Sequence, residues 1–186
     1  MKSEIEKAAE VVKSGGVILY PTDTIWGLGC DPNNEEAINK IIAIKKRADH
    51  KSFILLVNSE RLLNRYVKEI PDVCFDLIDC ADRPLTIIYP GGQHLSKKVM
   101  GEDLSIGIRL TDYPFCDQLI NKLKYAIVST SANISGDKSP ASFQDVVEEI
   151  RDAVDYVVDL PEEAKGSTAS QIIKISAKSE IEIIRK

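Results

Sequence analysis

Two short polar stretches carry the side chains most able to do chemistry. Pro21-Thr22-Asp23-Thr24-Ile25-Trp26-Gly27 brings two hydroxyls, a carboxylate, an indole N–H and backbone amides. Ser129-Thr130-Ser131-Ala132-Asn133-Ile134-Ser135-Gly136 brings four hydroxyls and a carboxamide, with Gly136 permitting a tight turn. Hydroxyl and N–H donors that converge on oxygens make anion cradles. A third stretch crowds Lys45, Lys46, Arg47 and Lys51 together with His50. Combined, the three sketch a pocket for a ligand that is both phosphorylated and carboxylated. Taken singly, each loop reads more readily as an ordinary turn, and the basic run equally well as a helix end whose cations complement the helix dipole.

Other chemistries lack their residues. There is no G-x-x-x-x-G-K-[ST], and Gly27-Leu28-Gly29 lacks the third glycine of a dinucleotide fingerprint. No G-x-S-x-G elbow accompanies the two histidines, His50 and His94, so a nucleophilic triad is poorly supported. Asp23 is the only acid in the first loop, with Asp31 at its edge, which leaves carboxylate-pair hydrolysis unmotivated. Cys30, Cys74, Cys80 and Cys116 form no C-x-x-C pair, so no metal site is expected and the thiols read as buried and reduced.

The elements that must position these loops alternate along the chain. Ser3 and Glu6 fit a capping box for a first helix with Ile5, Ala8, Ala9 and Val12 on one face, stopped at Gly15-Gly16. Val17–Tyr20 reads as a buried strand. Asn33 or Asn34 caps a second helix with Ala37, Ile38, Ile41, Ile42 and Ile44 on its apolar face, which sets Lys45-Lys46-Arg47 at its C-terminal end. Phe53–Val57, Leu85–Tyr89, Ser105–Leu110 and Ala126–Ser129 read as strands, with helices over 60–66 and 72–81 and another opened by Pro114. Ser142 is expected to cap a last, acidic helix. Tyr156–Val158, Ser170–Ile175 and Ile181–Ile184 close the chain, the last two as a hairpin. This is an α/β pattern whose helix-free closing strands argue for a mixed sheet. Both polar loops leave a strand at its carboxyl end, where open sheets bind ligands.

At 186 residues, with 44% hydrophobic and 28% charged, the chain is expected to form one domain, residues 1–186. Net charge is −5, with basic residues gathered near Lys45 and acidic ones over 145–163. The acidic total argues against a protein that coats nucleic acid. The acidic, amphipathic start is unlike a signal peptide, and no apolar run reaches the roughly 18 residues a membrane helix needs. A cytoplasmic protein without membrane contact is expected.

Five collinear motifs then carry a family resemblance. PTDTIWGLGCDP, IKKRADHKSFILLV, RPLTII, SIGIRLTDYPF and STSANISG span about Pro21 to Ile173 and resemble the YrdC/Sua5 family of threonylcarbamoyl-AMP synthases. The family's diagnostic K-x-R and S-x-N fall here on Lys45-Lys46-Arg47 and Ser131-Ala132-Asn133. The resemblance implies a twisted open mixed α/β sheet flanked by helices (YrdC/RibB-like) with a basic concave cavity, in the short single-domain form. It implies synthesis of threonylcarbamoyl-AMP and pyrophosphate from L-threonine, bicarbonate and ATP, for the threonylcarbamoyladenosine modification of tRNA. Because the nucleophile is a substrate carbamate, the protein's task is positioning and charge neutralisation. On that reading Lys45, Arg47, Ser131 and Asn133 form the catalytic tetrad. Thr22, Thr24, Lys51, Arg109, Ser129 and Ser170 bind substrate, with Thr22 and Thr24 at the amino-acid end. Magnesium is expected on the ATP phosphates. Expected partners are tRNA or double-stranded RNA and the downstream threonylcarbamoyl-transferase complex.

The chain departs from the family pattern at Trp26 (usually Tyr or Phe), Ala48 and Thr111 (commonly Pro), Asp82-Arg83 (Pro-Gly before Pro84) and Gln171 (Thr). Two other readings compete. A non-catalytic double-stranded RNA or tRNA binder is opposed by the acidic total and the lack of aromatics within the Lys45–Lys51 cluster. A paralogue with another carbamoyl or adenylate chemistry, as in hydrogenase maturation, is opposed by the absence of acylphosphatase and zinc-finger regions.

Overall fold

A computed structural model describes residues 1–47, 53–160 and 168–186. The chain runs α1 (Lys2–Lys13), β1 (Ile18–Tyr20), β2 (Gly27–Gly29), α2 (Glu35–Ile44), β3 (Ile54–Val57), α3 (Glu60–Tyr66), α4 (Val73–Asp79), β4 (Leu85–Tyr89), β5 (Ile106–Leu110), α5 (Pro114–Leu123), β6 (Ile127–Ser131), α6 (Glu148–Ala153), β7 (Tyr156–Val157), β8 (Gln171–Ile175) and β9 (Ile181–Arg185). Among the described residues nine strands form one mixed sheet in the order β7-β1-β2-β6-β3-β5-β4-β8-β9. The expected mixed sheet is present. Its closing strands part company, β7 pairing parallel with β1 at one edge while the β8–β9 hairpin forms the other.

Period-two alternation sorts the core into two layers. Val17 and Leu19, Leu55 and Val57, and Val128 share a cluster with Ala37, Ile38 and Ile41 of α2 and Leu63 of α3. Ile18 and Tyr20, Leu56, and Ile127 point the other way, into a cluster with α1 and α5. Helices α1 and α5 cover only the end of that second face nearest β1, β6 and β3. Across β5, β4, β8 and β9 the face continues without them, and this bare half is where a cavity can form.

Several local expectations are corrected. Helix α1 starts one residue ahead of Ser3, so Ser3 is inside the helix and Met1 is the N-cap, with no side-chain capping bond. Asn34 does cap α2, its Oδ1 accepting from Ala37 N at 3.0 Å. β2 was not expected at all, because a three-residue Gly-Leu-Gly strand has too little side-chain pattern to read. Ser142 does not open the acidic helix: its backbone N and hydroxyl donate to Asp145 across a single 3-10 turn, and α6 begins later, at Glu148. Cys30, Cys74 and Cys116 are buried thiols, but Cys80 is exposed. No described helix is long and apolar enough to cross a membrane.

Candidate functional site

Sheet register lays the floor of the site. Ile127, Leu56, Arg109, Thr86, Ile172 and Arg185 are successive cross-strand partners from β6 to β9. Directly paired residues project from the same face. The first two lie under α1 and α5, and the remaining four lie on the bare half. One row thus delivers two guanidiniums and a buried hydroxyl to the same surface. The strand hairpin joins in through Ser170, whose hydroxyl lies 2.8 Å from that of Thr86. Arg185 donates from Nε to the Ser170 carbonyl at 2.9 Å and from Nη2 to its hydroxyl at 3.4 Å.

The two polar loops form one wall, because β2 lies between β1 and β6 and holds their ends side by side. β6 runs two residues beyond the expected end, so Thr130 and Ser131 are strand residues rather than loop. Glycine is required in β2 for close approach. A Cβ on Gly29 would sit 2.6 Å from the Tyr20 ring and 2.9 Å from the Val128 carbonyl. Opposite, the C-terminal end of α2 brings in Arg47. Its guanidinium lies 4.4 Å from the Phe53 ring centroid and donates to the Thr130 hydroxyl at 3.3 Å.

Together these groups enclose a cavity of about 280 Å³ whose described walls include Thr24, Trp26, Arg47, Arg109, Ser129, Ser131, Ser139, Ser170 and Arg185. Thr22 also borders it. Of the tetrad, Arg47 and Ser131 line the cavity, whereas Lys45 and Asn133 lie behind it. Lys45 is only 3% exposed. Its Nζ donates to the carbonyls of Ser131 and Asn133, and its own carbonyl accepts from Ser135 N at 2.8 Å. The Asn133 amide donates to the carbonyls of Ile134 and Asp137 at 2.8 and 2.9 Å, fastening the loop to itself. Lys45 and Asn133 therefore shape the β6 loop from within. Lys51 lies outside the described residues.

The electrostatics favour an anion. Burial, and then the charge of Arg47, lowers the Lys45 ammonium to about 7. Burial also lowers Arg47, and burial followed by the Arg109 charge lowers Arg185. Arg109 pairs with the Asp23 carboxylate at 2.9 Å. Two buried donors in the wall, the Nε of Arg109 and the indole Nε1 of Trp26, have no acceptor among the described residues. Such orphans are rare and cost roughly 1–3 kcal/mol each unless a ligand or water satisfies them. Trp26 meanwhile packs on Phe143 with ring centroids 5.0 Å apart.

Behind Asp23 lies a larger cavity of about 640 Å³. Its wall carries Asp23, Asp82, Asp112 and Asp117 against Arg83, so it is the poorer host for a polyanion despite its size. Two departures from the family pattern meet at its edge. With its amide oxygen turned toward Arg83, Gln171 accepts from the Arg83 Nε at 2.9 Å. Among the described residues no group of three or more His, Cys, Asp or Glu could hold a metal ion.

Arg185, Ser139 and Phe53 were missed by the sequence reading. Arg185 is the strongest omission. Only the register, including a bulge between its pairing with Ile172 and the next pair, turns it toward the cavity.

A family model for Sua5, YciO and YrdC, described as "Telomere recombination", matches residues 10–186. The chain belongs to this family. Among its curated relatives is a threonylcarbamoyl-AMP synthase from Acinetobacter baumannii, 35% identical over 162 residues, covering 83% of this chain and 86% of that protein. The fold superposes on the H234A/Y235A variant of P. abyssi Sua5 with a TM-score of 0.90 and 26% identity, covering all of this chain but 56% of that one. P. abyssi Sua5 complexed with L-threonine matches with a TM-score of 0.85 and 27% identity, over 94% of this chain and 51% of that chain. This chain thus spans nearly the length of the bacterial relative and about half that of Sua5.

Proposed function

We propose that this protein is a threonylcarbamoyl-AMP synthase, a nucleotidyltransferase that uses ATP, L-threonine and bicarbonate. The observation that carries the reading is the cavity itself. Arg47, Arg109 and Arg185 converge on it with serine and threonine hydroxyls, and no nucleophile–base pair stands among them. That inventory suits a reaction whose nucleophile arrives with the substrate. The names of the family relatives favour it over the RNA-binding alternative, and Sua5 bound to L-threonine supports the amino-acid substrate.

The chemistry would run in two steps. The amine of threonine and bicarbonate condense to a carbamate with loss of water. A carbamate oxygen then attacks the α-phosphorus of ATP, the bond to the bridging oxygen breaks, and pyrophosphate leaves. Arg47, Arg185 and Ser131 would face the phosphates, with Lys51 as a further cation. Arg109, Ser129, Ser170 and Thr24 would face the amino acid and its carbamate. Preorganised donors of this kind stabilise charge developing on transferred oxygens. Lys45 would add positive charge from behind Ser131, and Asn133 would hold the loop in shape. Thr22 would brace the first loop rather than touch substrate, since its hydroxyl is fully used inside that loop. Magnesium would arrive on ATP, coordinated by phosphates and water, because the described walls of the cavity carry guanidiniums and hydroxyls rather than carboxylates. The single continuous sheet supports reading residues 1–186 as one domain. The product would pass to a threonylcarbamoyl-transferase complex acting on tRNA, in the cytoplasm.

Product identity tests the proposal. Incubation with ATP, threonine and isotopically labelled bicarbonate is expected to give an adenylate carrying both the threonyl group and the label by mass spectrometry. An adenylate lacking the label would refute it.

A further inference from the structure

Hydrogen bonds in the first loop run in one direction only. A threonine hydroxyl has one proton to give and two lone pairs to receive with. Thr22 gives its proton to the Ile25 carbonyl at 2.7 Å. Its oxygen receives from Thr24 N at 3.1 Å, and therefore also from the Thr24 hydroxyl, 2.9 Å away. Thr22 is saturated. Thr24, its proton spent, receives from Arg109 Nη2 at 3.3 Å and keeps one lone pair. The other proton of that Nη2 goes to Asp23 Oδ1 at 2.9 Å. Left open among the described residues are one acceptor at Thr24 and, beside other donors, the Nε–H of Arg109.

We propose that Asp23, outside the cavity wall, is a positioning residue that holds Arg109 against this acceptor. Its carboxylate anchors Arg109, whose side chain is 5% exposed against 15% for Asp23. Held there, Arg109 donates to Thr24, whose own proton is committed to Thr22 because Thr22 gives its proton to the Ile25 carbonyl, so the two threonine hydroxyls offer a ligand nothing but one acceptor. Arg109 offers donors beside it. A ligand presenting both a donor and an oxyanion within one short skeleton fits this pair, as an α-amino acid does and a nucleotide phosphate does not. Asp23 thereby separates the amino-acid end of the cavity from its phosphate end. This rests on the synthase reading, and it assigns to Asp23 a role in amino-acid affinity without contact.

Calorimetric titration of the full chain with L-threonine, and separately with ATP, tests it. Asp23→Asn removes the charge that anchors Arg109. It is expected to weaken threonine binding about tenfold or more, as loss of a charge-assisted hydrogen bond does, while ATP affinity stays within about threefold. Asp23→Glu is expected to keep most of the threonine affinity. Equal losses for both ligands, or threonine affinity unchanged in Asp23→Asn, would overturn the proposal. Should Asp23→Asn fail to fold, Thr24→Val, which deletes the one free lone pair, is expected to show the same threonine-only loss, and unchanged affinity there overturns it equally. Failure of the unmodified protein to bind threonine would strike the functional reading itself, a result distinct from either.

Discussion

Lys45 shows how a residue can serve a site it does not line. The ammonium is buried under the β6 loop and bonded to two backbone carbonyls, with its pKa near 7 because burial disfavours the charge and Arg47 repels it. Between about 7 and the ordinary lysine value of 10.5 the folded state holds fewer protons here than the unfolded chain. Its contribution to stability therefore rises with pH through that window, and below about 7 the burial penalty applies in full. An anion in the cavity reverses the preference by favouring the ammonium. Nucleotide binding near neutral pH is thus expected to take up a proton and to weaken as pH rises above 7. Titrations in buffers of different ionisation enthalpy would reveal the uptake, and buffer-independent heats would contradict it. Arg47→Ala is expected to lower turnover about 10²–10³-fold, as removal of one preorganised oxyanion donor does, without changing the melting temperature. Arg185→Ala removes a guanidinium that, among the described residues, pairs with Ser170, and is expected to weaken ATP binding about tenfold by calorimetry.

Among the elements, the β2 hairpin was hidden from the sequence and matters most to the site. Gly27-Leu28-Gly29 has no alternation to read, yet it joins the ends of β1 and β6 and so places the two polar loops on one wall. Its glycines are there for closeness. Gly29→Ala would force a methyl against the Tyr20 ring and a carbonyl, and is expected to cost about 1–3 kcal/mol, read as a fall of several degrees in Tm. An unchanged melting curve would show that the strands can spread. Elements with strong periodicity were legible: α2 with its Asn34 cap and the four-residue apolar face of α1 stand where their patterns put them, and the core strands within one or two residues of it. The row from Arg109 to Arg185 was not, because cross-strand register is a non-local property that no local spacing encodes. Departures from the family pattern also acquire reasons. Thr111 supplies an N–H to the Val57 carbonyl that a proline could not, and Gln171 meets Arg83, each standing where the family differs.

At the scale of the molecule, function follows from an asymmetry in coverage. One face of the sheet is sealed by α2, α3 and α4, while α1 and α5 seal only half of the other. Side chains that would be core on a fully covered face become the floor of a cavity, and on this face they are arginine, threonine and serine. The motifs group Lys45, Arg47, Ser131 and Asn133, but they do not reveal that Lys45 and Asn133 lie behind the cavity while Arg47 and Ser131 line it. On the synthase reading, these groups promote a reaction in which the substrate brings the nucleophile. Pyrophosphate release from ATP, measured with threonine and bicarbonate omitted in turn, tests this most directly. Release that requires both, and that falls when valine replaces threonine, is predicted. Release from ATP alone, or none from folded protein with every substrate present, would contradict it.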